Sequence, residues 1–438
     1  MWPYYPDLLA RPVPRYTSFP TAAEFSDAVG GDALDGALAA TSGDVSLYVH
    51  IPFCEQICWY CGCNTGAANK RARLTSYLDA LGREVALVGK KLDGRVRVKR
   101  VAFGGGSPNA ISPTDFVRLV DAITLHFRLD DPVWSIELDP RTMTHEWGQV
   151  LSFVGVTRAS LGVQTFSPTL QQAIGRVQPD SVIEACTGLL RDSGITSLNY
   201  DLMYGLPGQT MDDLDQTLAR ACALGADRIA LFGYAHVPHM LPRQRRIDAS
   251  ALPGQEARFD MAAHGYGVLV GEGYAPVGFD HFARPGDTLA QATTSGRLRR
   301  NFQGFTEDQA PVLIGLGASA ISAFPDLLVQ NEKNAGRYRM LLSQDRLPGA
   351  HGVRRSAEDR MLGEIVMGLL CQGSAVVAGE RAWEVAAAGL APFIAHGLVE
   401  VNHGRVTIMP GGLPYARSIA ACFDPYRQQS ARRFSSAV

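Results

Sequence analysis

The chain has 438 residues, enough for two or three domains at roughly 150 residues each and for a sizeable core without covalent staples. Charged residues make up 19% and apolar residues 46%, a globular balance that excludes extended disorder. Lys plus Arg number 41 against 43 Asp plus Glu, a net charge of −2, which removes any global electrostatic case for nucleic-acid binding.

No stretch approaches the length of an apolar transmembrane helix. The opening MWPYYPDLLARPVPRY has four prolines before Arg15 and does not read as a secretory signal. A cytoplasmic location is therefore expected, where thiols stay reduced. Ser46 to Pro52, SLYVHIP, alternates in strand-forming residues and ends at proline, so a strand is predicted there. Directly behind it, HIPFCEQICWYCGCN brings Cys54, Cys58, Cys61 and Cys63 within ten residues, so several thiolates can meet one centre from a single loop. Cys186, Cys222, Cys371 and Cys422 sit singly in apolar or helical surroundings and read as small buried hydrophobes.

Three metal readings compete for the cluster. A structural zinc site usually joins two CxxC pairs, and no second pair follows. A bacterial ferredoxin run closes with a fourth Cys before Pro, also absent. CxxxCxxC fits a [4Fe–4S] cluster with three protein ligands, whose fourth iron is open to a small molecule.

Beyond the loop, Tyr77, Leu78, Leu81, Val85 and Val88 recur at helical spacing. Strands are predicted at 98–105, 133–140, 158–164, 197–205 and 228–235, with room for a helix between each pair. Ser112-Pro113-Thr114-Asp115 and Thr210-Met211-Asp212-Asp213 resemble capped helix starts. Such alternation implies a parallel sheet, whose ligands bind where the strands end. Those ends are polar or glycine-rich: Gly104-Gly105-Gly106-Ser107, Glu137 and Asp139, Gln164, Asp201, then Tyr234 and His236. Any one of them could be a turn or a helix cap; in succession beside a cysteine loop they predict a site.

Basic runs follow at Arg243, Arg245 and Arg246 and at Arg297, Arg299 and Arg300, with Arg15 in the N-terminal arm. A basic run is usually a solvated face, although Arg forks match carboxylates well. Past about residue 346 a helical run through Met361, Ile365, Met367 and Leu370 leads to two short strands around Asn402-His403-Gly404, a winged-helix-like outline. Without a basic face it reads as a packing or lid domain. The expected division is an arm at 1–44, a barrel at 45–345 and a covering domain at 346–438.

Cys54-Glu-Gln-Ile-Cys58-Trp-Tyr60-Cys61 and GGGSP resemble the cluster and glycine motifs of the radical S-adenosylmethionine (SAM) superfamily. More narrowly, PRYTSFPTAAEF (14–25), SLYVHIPFC (46–54), CGCN (61–64), SIELDP (135–140), GVQTF (162–166) and DLMYGLPGQT (201–210) resemble the oxygen-independent coproporphyrinogen III oxidase family. So do DHFARP (280–285), NFQGFT (301–306), LIGLGASAIS (313–322), QNEK (330–333) and CFDPYRQQSARRF (422–434). Tyr60, Ser107 and Thr165 within those motifs, and Gly233 before Tyr234-Ala235-His236, depart from the residues expected, and the likeness fades over 371–395.

The resemblance implies an α/β fold, a partial (β/α)6 radical-SAM barrel with an N-terminal arm and a mainly helical C-terminal domain. It implies one [4Fe–4S] cluster on Cys54, Cys58 and Cys61, and two SAM molecules. Tyr48, Gly105, Glu137, Ala235 and Ile321 would contact the first SAM; Tyr60, Gly106, Ser107, Gln164, Arg176 and Asp201 would contact the second. Cys63 matches a family cysteine that is not a cluster ligand and stands as a possible substrate-side residue. No amino-acid side chain is assigned as the catalyst, because the radical arises at cluster-bound SAM within a dry barrel.

The implied activity is anaerobic oxidative decarboxylation of two propionates of coproporphyrinogen III to vinyl groups, giving protoporphyrinogen IX in heme biosynthesis. The implied partners are the porphyrinogen and a reduced flavodoxin or ferredoxin-type electron donor, with no nucleic acid, no membrane and a monomeric chain. The rivals are a relative acting on another tetrapyrrole and the family's heme-carrier branch. The carrier branch generally lacks the PRYTSFPTA arm and the cysteine matching Cys63.

Overall fold

The computed structural model describes residues 2–68 and 71–429; the SARRF end of the C-terminal motif, 430–434, lies outside them. Six strand–helix units follow one another: β1 (Gly43–Ile51), α1 (Arg71–Leu92), β2 (Val96–Gly105), α2 (Pro113–His126), β3 (Leu129–Leu138), α3 (His145–Val154), β4 (Val156–Gln164), α4 (Asp180–Asp192), β5 (Ser197–Tyr204), α5 (Met211–Ala223), β6 (Arg228–Gly233) and α6 (Gln255–Gly271). The strands are parallel and in chain order, with Leu47 opposite Val101, Val101 opposite Trp134, Leu161 opposite Tyr200 and Tyr200 opposite Ile229. Right-handed βα units laid side by side place every strand's C-terminal end on one rim. This is a partial (β/α)6 barrel.

Local chemistry explains the helix starts. Ser112 accepts the Asp115 N–H with Pro113 in the first turn, and Thr210 and Asp213 form a reciprocal capping box. On α1, Tyr77, Leu81, Val85 and Val88 are buried against the sheet, the stripe its spacing predicts.

The sheet is wider than the sequence suggests. At one edge β7 (Ala275–Val277) and β8 (His281–Ala283) add antiparallel to β6. At the other, β9 (Val312–Leu316) lies parallel to β1, and β10 (Ile321–Phe324), β11 (Leu327–Asn331) and β12 (Gly349–Arg354) continue as an antiparallel run, for twelve strands in all. The sheet thus continues past residue 345 to Arg354.

Two cores result. One surrounds the sheet and includes Val29, Leu34 and Leu38 of the arm. The other joins α7 (Ala357–Gln372) and α8 (Glu380–Ala395) to Leu9, Val13, Tyr16 and Phe19, also from the arm. The arm therefore straps the C-terminal domain to the barrel. In that domain Val399–Asn402 and Arg405–Ile408 pair as a hairpin turning at His403 and Gly404, and Ser374–Val376 completes a three-stranded sheet.

Candidate functional site

The cysteine loop leaves β1 at the C-terminal rim and is pinned at its base. Phe53–Cys54 pairs with Gly66–Ala67, and the Gly66 and Ala68 N–H groups donate to the Pro52 and Cys54 carbonyls, each at 2.9 Å. Its far side is fastened by the Trp59 N–H to the Ile174 carbonyl at 3.1 Å, and by Gln244 donating to the Tyr60 carbonyl at 2.9 Å. The Trp59 ring lies over Gly175, where a Cβ would stand 2.6 Å from it. A glycine there lets the loop sit flat.

The thiols are all free, and Cys58 is only 5% exposed. Arg176 Nη1 reaches Cys58 Sγ at 3.2 Å and Arg141 Nη2 reaches it at 3.7 Å. Asp139 holds both guanidiniums, at 3.4 Å from Arg176 and 2.6 Å from Arg141, and is itself kept below the usual carboxylate range by them despite burial. Ser107 Oγ lies 3.8 Å from Cys54 Sγ, and the Cys63 N–H donates to Cys61 Sγ at 3.4 Å. The neighbouring Cys63 pulls the Cys61 thiol down to about 6, with Arg243 and Arg176 acting the same way against burial. Burial pushes Cys54 up to about 11.

Strand β2 ends in the glycine run. Gly105 has φ of +111° and presents its N–H to Glu137 Oε2 at 3.1 Å, while Gly106 lies flush against the Phe53 backbone. A side chain at Gly106 would push the loop away, and one at Gly105 would collide with the His50 ring. Burial lifts the Glu137 carboxyl to about 7. Asp201 accepts from Ser160 at 3.2 Å and Asn199 at 2.8 Å, with burial again raising its pKa. Gln164 closes β4 with φ of +68°, uncommon for a residue with a side chain.

These residues surround one cavity of about 610 Å³. Cys54, Cys58, Tyr60, Cys61, Cys63, Gly105, Gly106, Ser107, Glu137, Gln164, Arg176, Asp201 and Ala235 all line it. Tyr48 and Ile321 stand outside its lining: Tyr48 bonds His50 Nδ1 at 3.1 Å, and Ile321 opens β10. Among the described residues no three His, Cys, Asp or Glu side chains are gathered closely enough to share a single metal ion. Three thiols that line one cavity, with two guanidiniums on Cys58, suit an anionic iron–sulfur cluster.

Sequence reasoning missed Arg141. Its signal was its place two residues after Asp139 at a strand end, which reads equally well as a surface loop. Below the cavity a second space of about 270 Å³ shares Glu137, Ser160 and Asp201 and reaches Arg100, Arg158 and Arg228. There Glu307 pairs with Arg100 at 2.7 Å and with Arg158, and Asp287 pairs with Arg228 at 2.7 Å. The inward positions near the strand starts carry these arginines, so this part of the barrel interior is charged and ion-paired. Of the basic runs, Arg243 donates to Thr65 at 3.3 Å and Arg246 lies over Trp59. Arg245, Arg297 and Arg299 are exposed, and Arg300 turns inward.

A parallel βα barrel with a thiol loop at its C-terminal rim is a radical SAM architecture, and the sequence model of the Radical SAM superfamily matches residues 48–221. The oxygen-independent coproporphyrinogen III oxidase of Bradyrhizobium diazoefficiens is 38% identical over 97% of both chains. That of Escherichia coli is 36% identical over 96% of this chain and 94% of its own. A solved structure described as the E. coli coproporphyrinogen III oxidase, a radical SAM enzyme, superposes with a TM-score of 0.90 at 33% identity, covering 97% of this chain and 99% of that one. The chain belongs to the oxygen-independent coproporphyrinogen III oxidase family.

Proposed function

We propose that this chain oxidatively decarboxylates two propionates of coproporphyrinogen III to vinyl groups without oxygen, giving protoporphyrinogen IX in heme biosynthesis. Carrying the reading is a likeness that runs the length of the molecule, arm and covering domain included, at 38% identity over 97% of both chains. Each propionate loses CO2, one hydrogen atom from its β-carbon and one electron.

Cys54, Cys58 and Cys61 would hold a [4Fe–4S] cluster. Bound cluster and SAM supply a 5′-deoxyadenosyl radical able to take a hydrogen atom from a carbon that no amino-acid base can deprotonate. Glycines 105 and 106 leave space for a ligand to approach the backbone, and Glu137, raised to about 7, can hold an amine or a hydroxyl. Tyr48, Gly105, Glu137, Ala235 and Ile321 are assigned to one SAM, and Tyr60, Gly106, Ser107, Gln164, Arg176 and Asp201 to a second. Cys63 faces the same cavity and is assigned to the substrate side. The electron comes from a reduced flavodoxin or ferredoxin-type donor, and the enzyme works as a cytoplasmic monomer built of arm, barrel and covering domain. Among the described residues no helix is long and apolar enough to cross a membrane.

The test is anaerobic turnover of reconstituted protein with dithionite, SAM and coproporphyrinogen III, products followed by mass spectrometry. Loss of two CO2 units with 5′-deoxyadenosine release is expected. SAM cleavage with the porphyrinogen intact would overturn the assigned substrate.

A further inference from the structure

We propose that Arg15, Arg300 and Arg417 form a carboxylate cradle at the mouth of the thiol-lined cavity and grip propionates of the macrocycle, a reading that rests on the function proposed above. The three come from the arm, from the strand Arg299–Asn301 of the barrel and from the helix Ala416–Ala420 of the covering domain. A small pocket of about 60 Å³ is lined by Arg15 and Arg417, and Arg15 also lines the 610 Å³ cavity, so the two spaces adjoin.

Arg300 carries the strongest sign of an anion site. Its Nη1 is buried with no hydrogen-bond partner among the described residues, while its Nε points to the Arg15 carbonyl at 3.4 Å. Phe305 and Phe279 hold the guanidinium flat, at 4.4 and 5.1 Å from their ring centres, and Arg417 lies 5.7 Å from the Phe279 ring. Among the described residues Asp280 faces Arg300 and Arg417, and it already bonds His281 Nδ1 at 2.6 Å. Burial pushes Arg417 down to about 10, and Arg15 and Arg300 act in the same direction. A buried guanidinium N–H that meets no acceptor among the described residues is costly unless an anion supplies one.

Arg15 is presented by a backbone built for it. Tyr16 has φ of +46°, a left-handed conformation that a bulky residue keeps only where packing over-determines it. Its ring is 1% exposed and its hydroxyl donates to Asp424 at 2.9 Å. Guanidinium forks match carboxylates in a bidentate manner. A porphyrinogen bearing four propionates can leave the reacting ones near the thiol wall while the cradle takes another.

The test compares wild-type holoenzyme with Arg300→Gln, Arg15→Gln and Arg299→Gln, the last an exposed control on the same strand. Arg300→Gln is expected to raise the KM for coproporphyrinogen III about 10- to 100-fold, the range for a lost charged hydrogen bond. The KM for SAM and the iron content should stay at wild-type values, and Arg300→Lys should recover part of the loss. Arg299→Gln should change nothing. Competition by the uncharged tetramethyl ester of coproporphyrinogen should be equal in wild type and variants. Arg15→Gln, altered at an exposed position, carries the test if Arg300→Gln melts early. Wild-type turnover with unchanged KM in both Arg300→Gln and Arg15→Gln overturns the cradle alone. Wild type that leaves coproporphyrinogen III unconverted overturns the functional reading and the cradle with it.

Discussion

At the scale of single residues, the site's most informative contact is a sulfur between two guanidiniums. Cys58 Sγ receives N–H donors from Arg176 at 3.2 Å and Arg141 at 3.7 Å, and Asp139 locks both in position. Donors and positive charge beside a ligand sulfur stabilise the more negative, reduced state of an iron–sulfur cluster. Arg141→Gln should therefore lower the midpoint potential, by on the order of 60 mV, the tenfold step of a one-electron couple. Iron content should survive, because the three thiols and Arg176 remain. A redox titration followed by electron paramagnetic resonance reads this directly, and an unchanged potential would reduce Arg141 to a structural partner of Asp139. That the clustered cysteines meet at one cavity was legible from their spacing. Arg141 was not, because a lone arginine in a polar run looks the same whether it turns inward or out, and the basic run at 297–300 did not show which of its arginines turns inward.

Among the elements, the clasp around Glu84 shows how the added edge strands are held. Glu84 lies on α1, buried, and accepts from Gly317 N–H at 2.6 Å, Tyr338 OH at 2.5 Å and Asn331 Nδ2 at 2.7 Å. These partners stand in the turn after β9, in the helix Ala335–Ser343 and on β11. Burial raises the Glu84 carboxyl to about 7, against the pull of those three donors. The native state thus holds a proton there that the unfolded chain, ionising near 4.5, has lost. This contribution is full below about pH 4.5 and disappears as pH rises through about 7. Glu84→Gln leaves a buried donor unmet, so at pH 5 it should cost about 1–3 kcal/mol. Its deficit should narrow toward pH 8 as wild type weakens, and urea titrations at the two pH values measure the gap. A constant deficit would show that Glu84 is ionised throughout. The edge strands it secures escaped the sequence reading for a plain reason. VLIGL is a short continuous apolar run, buried at every position, and its period does not separate strand from buried helix. The six barrel strands were legible because each is a run of strand-forming residues with room for a helix behind it.

For the whole molecule, the question is what brings three distant segments to one mouth. The arm contributes Val13, Tyr16 and Phe19 to the covering domain's core and Val29, Leu34 and Leu38 to the barrel's, so it ties the two together. Its polar anchor is the Tyr16 hydroxyl on Asp424, which also accepts the Tyr426 N–H at 3.0 Å. Tyr426 in turn donates to Asp359 at 2.7 Å, at the capping box that starts α7. Apolar burial alone would hold the arm down but would tolerate sliding; the hydroxyl fixes its register and with it the direction of Arg15. Tyr16→Phe keeps the ring and removes the anchor, a loss of about 1–3 kcal/mol localised at the strap. Hydrogen exchange at the arm amides of Val13 and of residues 15–19 should then speed up by about tenfold or more, while the amides of β1 to β6 keep their protection. The KM for the porphyrinogen should rise with it, because Arg15 loses its aim. If the arm exchanges at the wild-type rate, the aromatic core sets the register unaided and the Tyr16–Asp424 bond adds nothing to the strap.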